Sequence, residues 1–347
     1  MLRTDATFEA PPSVKYADAG DPQLSALALL LGDLAASNYS FTTPTPLTHQ
    51  RVLARTRLSG AKTLRDIFGW NLPFTAAEIQ PALLAILKTA GVLRENRGVY
   101  SSTVRVSSLD QDLFLHSAFP TTQDNAVFFG PDTYRFARFI RQELQSWAIS
   151  RSTKVSAQCP LRILDVGCGS GAGGIAAARC LQAAGIPFTV TMNDINPLAL
   201  KYTAANAAFA GIAVELALGD ALSAVTGNFD LVISNPPYLD DPAARAYRHG
   251  GARLGRALGV RIAIEALARL ALRGQLVLYT GVAIVDGFDP FIAELQPHLA
   301  KAGCHAHYSE IDPDVFGEEL ERPVYAHADR IAAVGLVATR RERSTDA

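Results

Sequence analysis

Two blocks of different rhythm predict a two-part chain whose larger part is an α/β domain on a mostly parallel sheet. From Leu161 onward, short strands rich in Val, Ile and Leu alternate with Ala-rich helices, the order that covers a parallel sheet on both faces. Earlier in the chain the pattern is several helices followed by a hairpin. The 347 residues are about twice one typical domain. The expected division is an N-terminal helical, winged-helix-like module at 1–118, a linker at 119–133 and the α/β domain at 134–347.

Apolar periodicity defines the N-terminal elements. Leu24 to Asn38 predicts a buried helix and Pro46 to Ser59 an amphipathic one. Thr75 with Glu78 forms a capping-box pattern. Ile79, Leu83, Leu84, Ile86 and Leu87 then share one face, and Gly91 is placed to end that helix. Val92, Val99, Val104 and Val106 around Asn96-Arg97-Gly98 suggest a short hairpin. The helical face carries Arg51, Arg55, Arg57 and Arg65 and few other bases, which favours a structural or protein-docking role over nucleic-acid binding. Turn formers crowd Phe119 to Thr133, and a helix from Tyr134 to Trp147 leads into the second domain.

Seven strands are expected there: Arg162–Val166, Thr189–Asn193, Val214–Leu218, Leu231–Ser234, Gln275–Thr280, His305–Ile311 and Ile331–Thr339. Helices follow Gly171, run through Leu198 to Ala210, and through Val260 to Leu272. Between the last two strands Asp312, Asp314, Glu318, Glu319 and Glu321 mark a solvated face or a substrate-side lid.

Charge and cysteines narrow the classes. Thirty-two basic against 33 acidic residues give a net charge of −1, which excludes a protein that grips nucleic acid through bulk charge. Cys159, Cys168, Cys180 and Cys304 form no CxxC and no zinc spacing, so no metal is expected. A reducing cytoplasm fits best. No signal peptide and no membrane span is expected.

The chemistry gathers at predicted strand ends. Asp165-Val166-Gly167-Cys168-Gly169-Ser170-Gly171 follows an apolar strand and opens a helix, the setting in which glycines let a nucleotide-like ligand approach the backbone. Gly167, Gly169 and Ala172 also satisfy a dinucleotide fingerprint. Asp165 just before the first glycine suits a ligand with an amino-acid end and a sulphonium cation, S-adenosyl-L-methionine. Asp194 ends the next strand and can accept from both hydroxyls of a ribose, or cap the following helix. Asp220 stands where it can accept from an adenine amine, or belongs to an ordinary turn.

Leu231-Val232-Ile233-Ser234 then runs into Asn235-Pro236-Pro237-Tyr238. Prolines make a stiff, extended loop. The Asn235 side-chain carbonyl and the backbone carbonyl before Pro237 can hold both hydrogens of a planar NH₂, and Tyr238 can stack on its flat face. The nitrogen's lone pair is then aimed at a sulphonium methyl, so positioning rather than a strong base lowers the barrier.

The glycine loop, Asp194, Asp220 and Asn-Pro-Pro-Tyr in this order resemble the class I S-adenosylmethionine-dependent methyltransferases. Within them the closest likeness is to the release-factor glutamine methyltransferases and their "small" methyltransferase relatives, over roughly Val127 to Thr339. The resemblance implies a Rossmann-like seven-stranded methyltransferase sheet whose last strand is antiparallel. It implies that Asp165, Gly167, Gly169 and Gly171 line the methionine end of the cofactor, Asp194 its ribose and Asp220 its adenine. Asn235, Pro236, Pro237 and Tyr238 would form the catalytic corner. The implied reaction is N-methylation of a macromolecular substrate, a protein glutamine ahead of the exocyclic amine of a base in RNA or DNA. Two departures stand out. Phe128 to Thr133 is similar to the Arg-Pro-Glu/Asp-Thr stretch of the glutamine enzymes, but Gly130 stands in place of the arginine. The N-terminal module also differs from their all-helical substrate domain.

Overall fold

The computed structural model describes residues 21–55, 62–151, 156 and 158–341. The N-terminal stretch ahead of residue 21, and Arg57 with the expected end of the second helix, lie outside them.

The N-terminal part begins with α1 (Pro22–Ala36), α2 (Pro46–Arg55) and the short α3 (Leu64–Phe68). The segments β1 (Phe74–Thr75), α4 (Pro81–Ala90), β2 (Leu93–Asn96) and β3 (Val99–Ser102) follow. The three strands form one small sheet in the order β1-β3-β2. Arg97 and Gly98, both left-handed, make the tight turn between β2 and β3. The Thr75–Glu78 capping box is present, but it closes only a single 3-10 turn. Pro81 lacks an amide hydrogen and biases Gln80 toward extended backbone, so the helix proper restarts there. Gly91 ends it at φ 69°.

A second hairpin, β4 (Val104–Leu109) and β5 (Asp112–Ser117), was not separated in the sequence reading. The alternation of Val104 and Val106 with Arg105 and Ser107 belongs to this hairpin and not to the turn at Asn96-Arg97-Gly98 with which the sequence pattern groups it.

Then come α5 (Pro131–Arg151), β6 (Leu161–Val166), α6 (Ala172–Ala183), β7 (Phe188–Asp194), α7 (Pro197–Ala210), β8 (Glu215–Leu218) and β9 (Phe229–Ser234). The chain finishes with α8 (Ala257–Ala268), β10 (Leu270–Ile284), α9 (Pro290–Lys301), β11 (Cys304–Asp312) and β12 (Arg330–Arg340). All seven expected strands are present. α5 starts ahead of the expected Tyr134 because Pro131 suits the first helical turn. α8 ends before Leu272 because Leu270 is already in the sheet.

The large sheet has the order β11-β12-β10-β9-β6-β7-β8. β12 is antiparallel to both neighbours and the other pairings are parallel. The mixed seven-stranded sheet, and the antiparallel setting of its last strand, are those that the sequence resemblance implied. Apolar clusters cover both faces, one under α5, α6 and α7 and one under α8 and α9. From β6 the chain winds outward through β7 and β8, then returns to place β9 on the other side of β6. The crevice outside the carboxyl ends of β6 and β9 is therefore a topological switch point, where open α/β sheets bind ligands.

The N-terminal core includes Ala199, Tyr202 and Ala205 of α7. The Asn206 amide of α7 accepts from the Leu115 N–H at 2.8 Å and donates to the Leu115 carbonyl at 3.1 Å. Among the described residues no helix is long and apolar enough to cross a membrane.

Candidate functional site

A cavity of ≈ 210 Å³ opens at the switch point, lined by Asp165, Gly167, Gly169, Asp194, Asp220 and Asn235 to Tyr238. Nine of the ten residues singled out from the sequence thus meet there. Gly171 is the exception: it caps α6 outside the cavity, at φ 79°, and a side chain on it would press on Thr203.

The glycine end of the cavity is made by the β6–α6 turn. Gly167 and Gly169 have φ of 70° and 57°, and a Cβ on either would meet nothing within 4 Å. The requirement for glycine is therefore conformational, and the space beside the backbone is open for a ligand. The amides of Gly167 and Cys168 both donate to the Asn193 carbonyl at 2.9 Å, which pins the turn to β7. Thr203 donates to the Gly169 carbonyl at 3.0 Å, and Asn206 to the Ser170 carbonyl at 2.8 Å.

Asp165 is buried, and one oxygen accepts from the Gly174 amide at 2.7 Å. Burial pushes its carboxyl up to about 7, the nearby Asp194 adds to that, and the Gly174 bond works against it. Asp194 accepts from the Gly169 amide at 2.8 Å and the Asn196 amide at 2.9 Å. Burial raises its pKa too. Helix α7 is capped by Asn196, whose side chain accepts from the Leu198 amide at 3.0 Å. Asp194 is therefore not the cap that one reading of the sequence allowed. Asp220 is half-exposed and held bidentately by Arg261, at 2.8 and 2.6 Å. These bonds lower its pKa. Arg261 on α8 had no motif to announce it.

At the opposite, Asn-Pro-Pro-Tyr end Ser234 donates to the Val166 carbonyl at 2.8 Å, fixing β9 to β6 one residue before the loop. Asn235 lines the cavity, and its side-chain amide makes no hydrogen bond with any described residue. The Tyr238 ring is buried, and its hydroxyl donates to Asp132 of α5. It lies over Gly281 of β10 and meets Phe316 edge-on at 5.8 Å. The ring is thus gripped by the protein at its hydroxyl, under one face and at one edge. Asp132, Tyr279, Gly281 and Phe316 were missed as site residues because they come from β10, from the acidic loop and from the start of α5, far from any motif.

The arginines after Tyr238 are committed to carboxylates. Arg245 holds Asp241 at 2.7 and 2.8 Å, and Arg248 reaches Glu319 of the acidic loop. Arg253 and Arg256 share Glu294. Tyr325 completes the clamp on this loop by accepting from the Asp240 amide at 2.8 Å. The acidic loop therefore packs over the Asn-Pro-Pro-Tyr segment.

Comparison with known proteins agrees with this geometry. Residues 153–278 match the family model described as "Methyltransferase small domain". The chain is 36% identical over 162 residues to a release factor glutamine methyltransferase of Deinococcus radiodurans, covering 46% of this chain and 55% of that protein. It is 35% identical over 98 residues to the protein of that name from Lactococcus lactis subsp. lactis, covering 28% and 33%. With ribosomal RNA small subunit methyltransferase C of Serratia proteamaculans it shares 38% identity over 79 residues, covering 23% and 22%. The chain spans about half the length of the first of these relatives, and less of the others.

Proposed function

We propose that this protein is an S-adenosylmethionine-dependent N-methyltransferase acting on the planar amide nitrogen of a protein glutamine. The observation that carries the reading is the convergence, in one cavity at the switch point, of the glycine turn with an Asn235 side chain that no other described residue engages. The residues present fit the cofactor: open space beside Gly167 and Gly169, a buried carboxylate at Asp165 for a cationic amino-acid end, and Asp194 at the end of β7 for a ribose. When bound, S-adenosylmethionine would supply an electrophilic methyl group.

The chain's own part is orientation. Asn235 and the Pro236 carbonyl accept from the two amide hydrogens of the acceptor, and the stiff Pro-Pro corner keeps those acceptors in place. Tyr238 bounds the site as a fixed wall. Its hydroxyl is turned away to Asp132, so the ring supplies shape rather than a proton acceptor. Held in this way, the nitrogen needs no strong base, because its extra proton can leave after the methyl has arrived.

The committed arginines support protein over nucleic acid as the acceptor. A groove for a phosphate backbone needs free cations, and the four arginines that follow Tyr238 are all engaged by carboxylates, Arg253 and Arg256 sharing Glu294. The ribosomal RNA relatives favour a second reading, transfer to the exocyclic amine of a base. Incubation with methyl-labelled S-adenosylmethionine and a desalted cell extract separates the two. Label released by protease and not by nuclease supports the glutamine reading; nuclease-sensitive label replaces it with the second. Calorimetry showing no affinity for S-adenosylhomocysteine would remove both.

A further inference from the structure

Asp132 is a buried carboxylate on the wall of the cavity, and three donors from three elements converge on it. One oxygen accepts from the Tyr238 hydroxyl. The other accepts from the Tyr279 hydroxyl of β10 at 2.8 Å and from Arg135 of α5 at 3.1 Å. Arg135 continues to Asp312, at the end of β11, at 2.8 Å. A carboxylate has roughly four lone-pair sites, so this one is nearly saturated and its orientation is fixed. Asp132 in turn holds the part of Tyr238 that neither Gly281 nor Phe316 touches.

We propose that Asp132 is a positioning residue for the transfer: through the Tyr238 hydroxyl it sets the angle of the ring that walls the acceptor corner, with Tyr279 and Arg135 holding the carboxylate in register. The proposal rests on the N-methyltransferase reading and adds to it a residue outside the Asn-Pro-Pro-Tyr motif. Productive geometry requires supporting rotamers locked to about 10–20°. A tyrosine fixed only at its ring would keep freedom about its side-chain torsions. Burial, together with the neighbouring Asp132, pushes the phenols of Tyr238 and Tyr279 well above their ordinary range. Both therefore stay protonated and donate at neutral pH, as the arrangement requires. Arg135 supplies the counter-charge that allows a carboxylate to be buried.

The test is made on the full chain with its tyrosines replaced by 3-fluorotyrosine. The ¹⁹F line absent from Tyr238→Phe identifies the ring. In Asp132→Asn this line is expected to move and narrow as the ring gains motion, and in Tyr279→Phe to move less. Turnover is followed as labelled methyl entering the protein fraction of an extract at saturating S-adenosylmethionine. Asp132→Asn and Tyr238→Phe should each lower it roughly 10- to 100-fold. The double variant should be no worse than the poorer single within about threefold, because both act on the same Tyr238–Asp132 contact, which Tyr238→Phe removes and Asp132→Asn strips of its charge. S-adenosylhomocysteine affinity should stay within about threefold of the wild type.

A Tyr238 line unmoved in Asp132→Asn overturns the proposal, as do losses that multiply in the double variant. Should Asp132→Asn fail to fold, Tyr238→Phe removes the same bond from the other partner, and wild-type turnover there also overturns it. Absence of label with the wild-type protein defeats the methyltransferase reading instead, and the ¹⁹F line then judges the ring contact by itself.

Discussion

The two ends of the cavity are built by opposite means. The donor end is mostly main chain: glycines at positive φ, amides given to Asp194 and Asn193, and a helix that starts where the turn stops. Its partners come from the neighbouring β6–α6 and β7–α7 units. The acceptor end is mostly side chain, and Tyr238 and Tyr279 reach Asp132 across 106 and 147 residues of sequence. The donor end can therefore form wherever the sheet does, whereas the acceptor end needs the start of α5, the middle of β10 and the acidic loop in place together. Cofactor affinity and turnover should separate accordingly when each end is damaged.

The sharpest break is Asn235→Ala. It removes one of the two acceptors proposed for the substrate amide and touches nothing at the donor end. Turnover should fall by about 10²-fold or more, while S-adenosylhomocysteine affinity stays near that of the wild type. Calorimetry and labelled-methyl transfer on the same preparation decide it. Parallel losses in binding and turnover would show that the two ends are not separable.

Asp194→Ala is the reciprocal experiment. Loss of the charge-assisted partner proposed for the ribose should weaken S-adenosylhomocysteine binding by about 1–3 kcal/mol. The Gly169 and Asn196 amides also lose their acceptor, so the thermal midpoint should fall with it. Unchanged affinity beside a lowered midpoint would leave Asp194 with only its loop-holding role.

Legibility in the sequence follows the same division. The glycine turn, Asp165, Asp194 and Asn-Pro-Pro-Tyr could be read because each sits at the end of an apolar strand, and strand order at a switch point brings such ends together. What could not be read is what holds them. Asp132 lies within a stretch noticed for its resemblance, but nothing local says that a tyrosine 106 residues later will bond it. The β4–β5 hairpin escaped because the alternation at Val104 and Val106 merges in the sequence with that of the β2–β3 hairpin just before it. Gly171 was assigned to the ligand by motif alone, whereas its positive φ and its approach to Thr203 give it a structural cause. The pairing of Arg261 with Asp220 depends on how α8 returns across the sheet, which periodicity does not encode.

A subtler handle on the donor end is pH. Burial holds the Asp165 carboxyl at about 7 against an ordinary 3.8, so between those two pH values the ligand-free folded protein holds a proton that the unfolded chain has released. Its contribution to stability is fully present below about pH 4 and is lost as pH rises through about 7, the window set by these two values. Asp194 shifts in the same direction. Asp165→Asn should flatten, without abolishing, the fall in denaturation midpoint across that window. A cation bound beside Asp165 favours its ionised form, so S-adenosylmethionine binding near pH 6.5 should release a fraction of a proton. Calorimetry in two buffers of different ionisation enthalpy measures this release, and proton uptake would contradict the place given to the amino-acid end.

The smallest effects are expected at Asp220, and they decide between two uses of one carboxylate. The pair with Arg261 is bidentate, yet both side chains are about half exposed, so its contribution to stability should be under about 1 kcal/mol. If Asp220 serves only that pair, Asp220→Ala and Arg261→Ala lower the midpoint alike and leave S-adenosylhomocysteine affinity unchanged. If the carboxylate also accepts from an adenine amine through its remaining lone pairs, Asp220→Ala weakens binding and Arg261→Ala does so less, since the acceptor survives without its counter-ion. We expect the second pattern, because Asp220 lines the cavity beside Asp194 while Arg261 is not among its walls. Equal affinities for the two variants would assign Asp220 to the ion pair alone and restrict the donor end to Asp165, the glycine turn and Asp194.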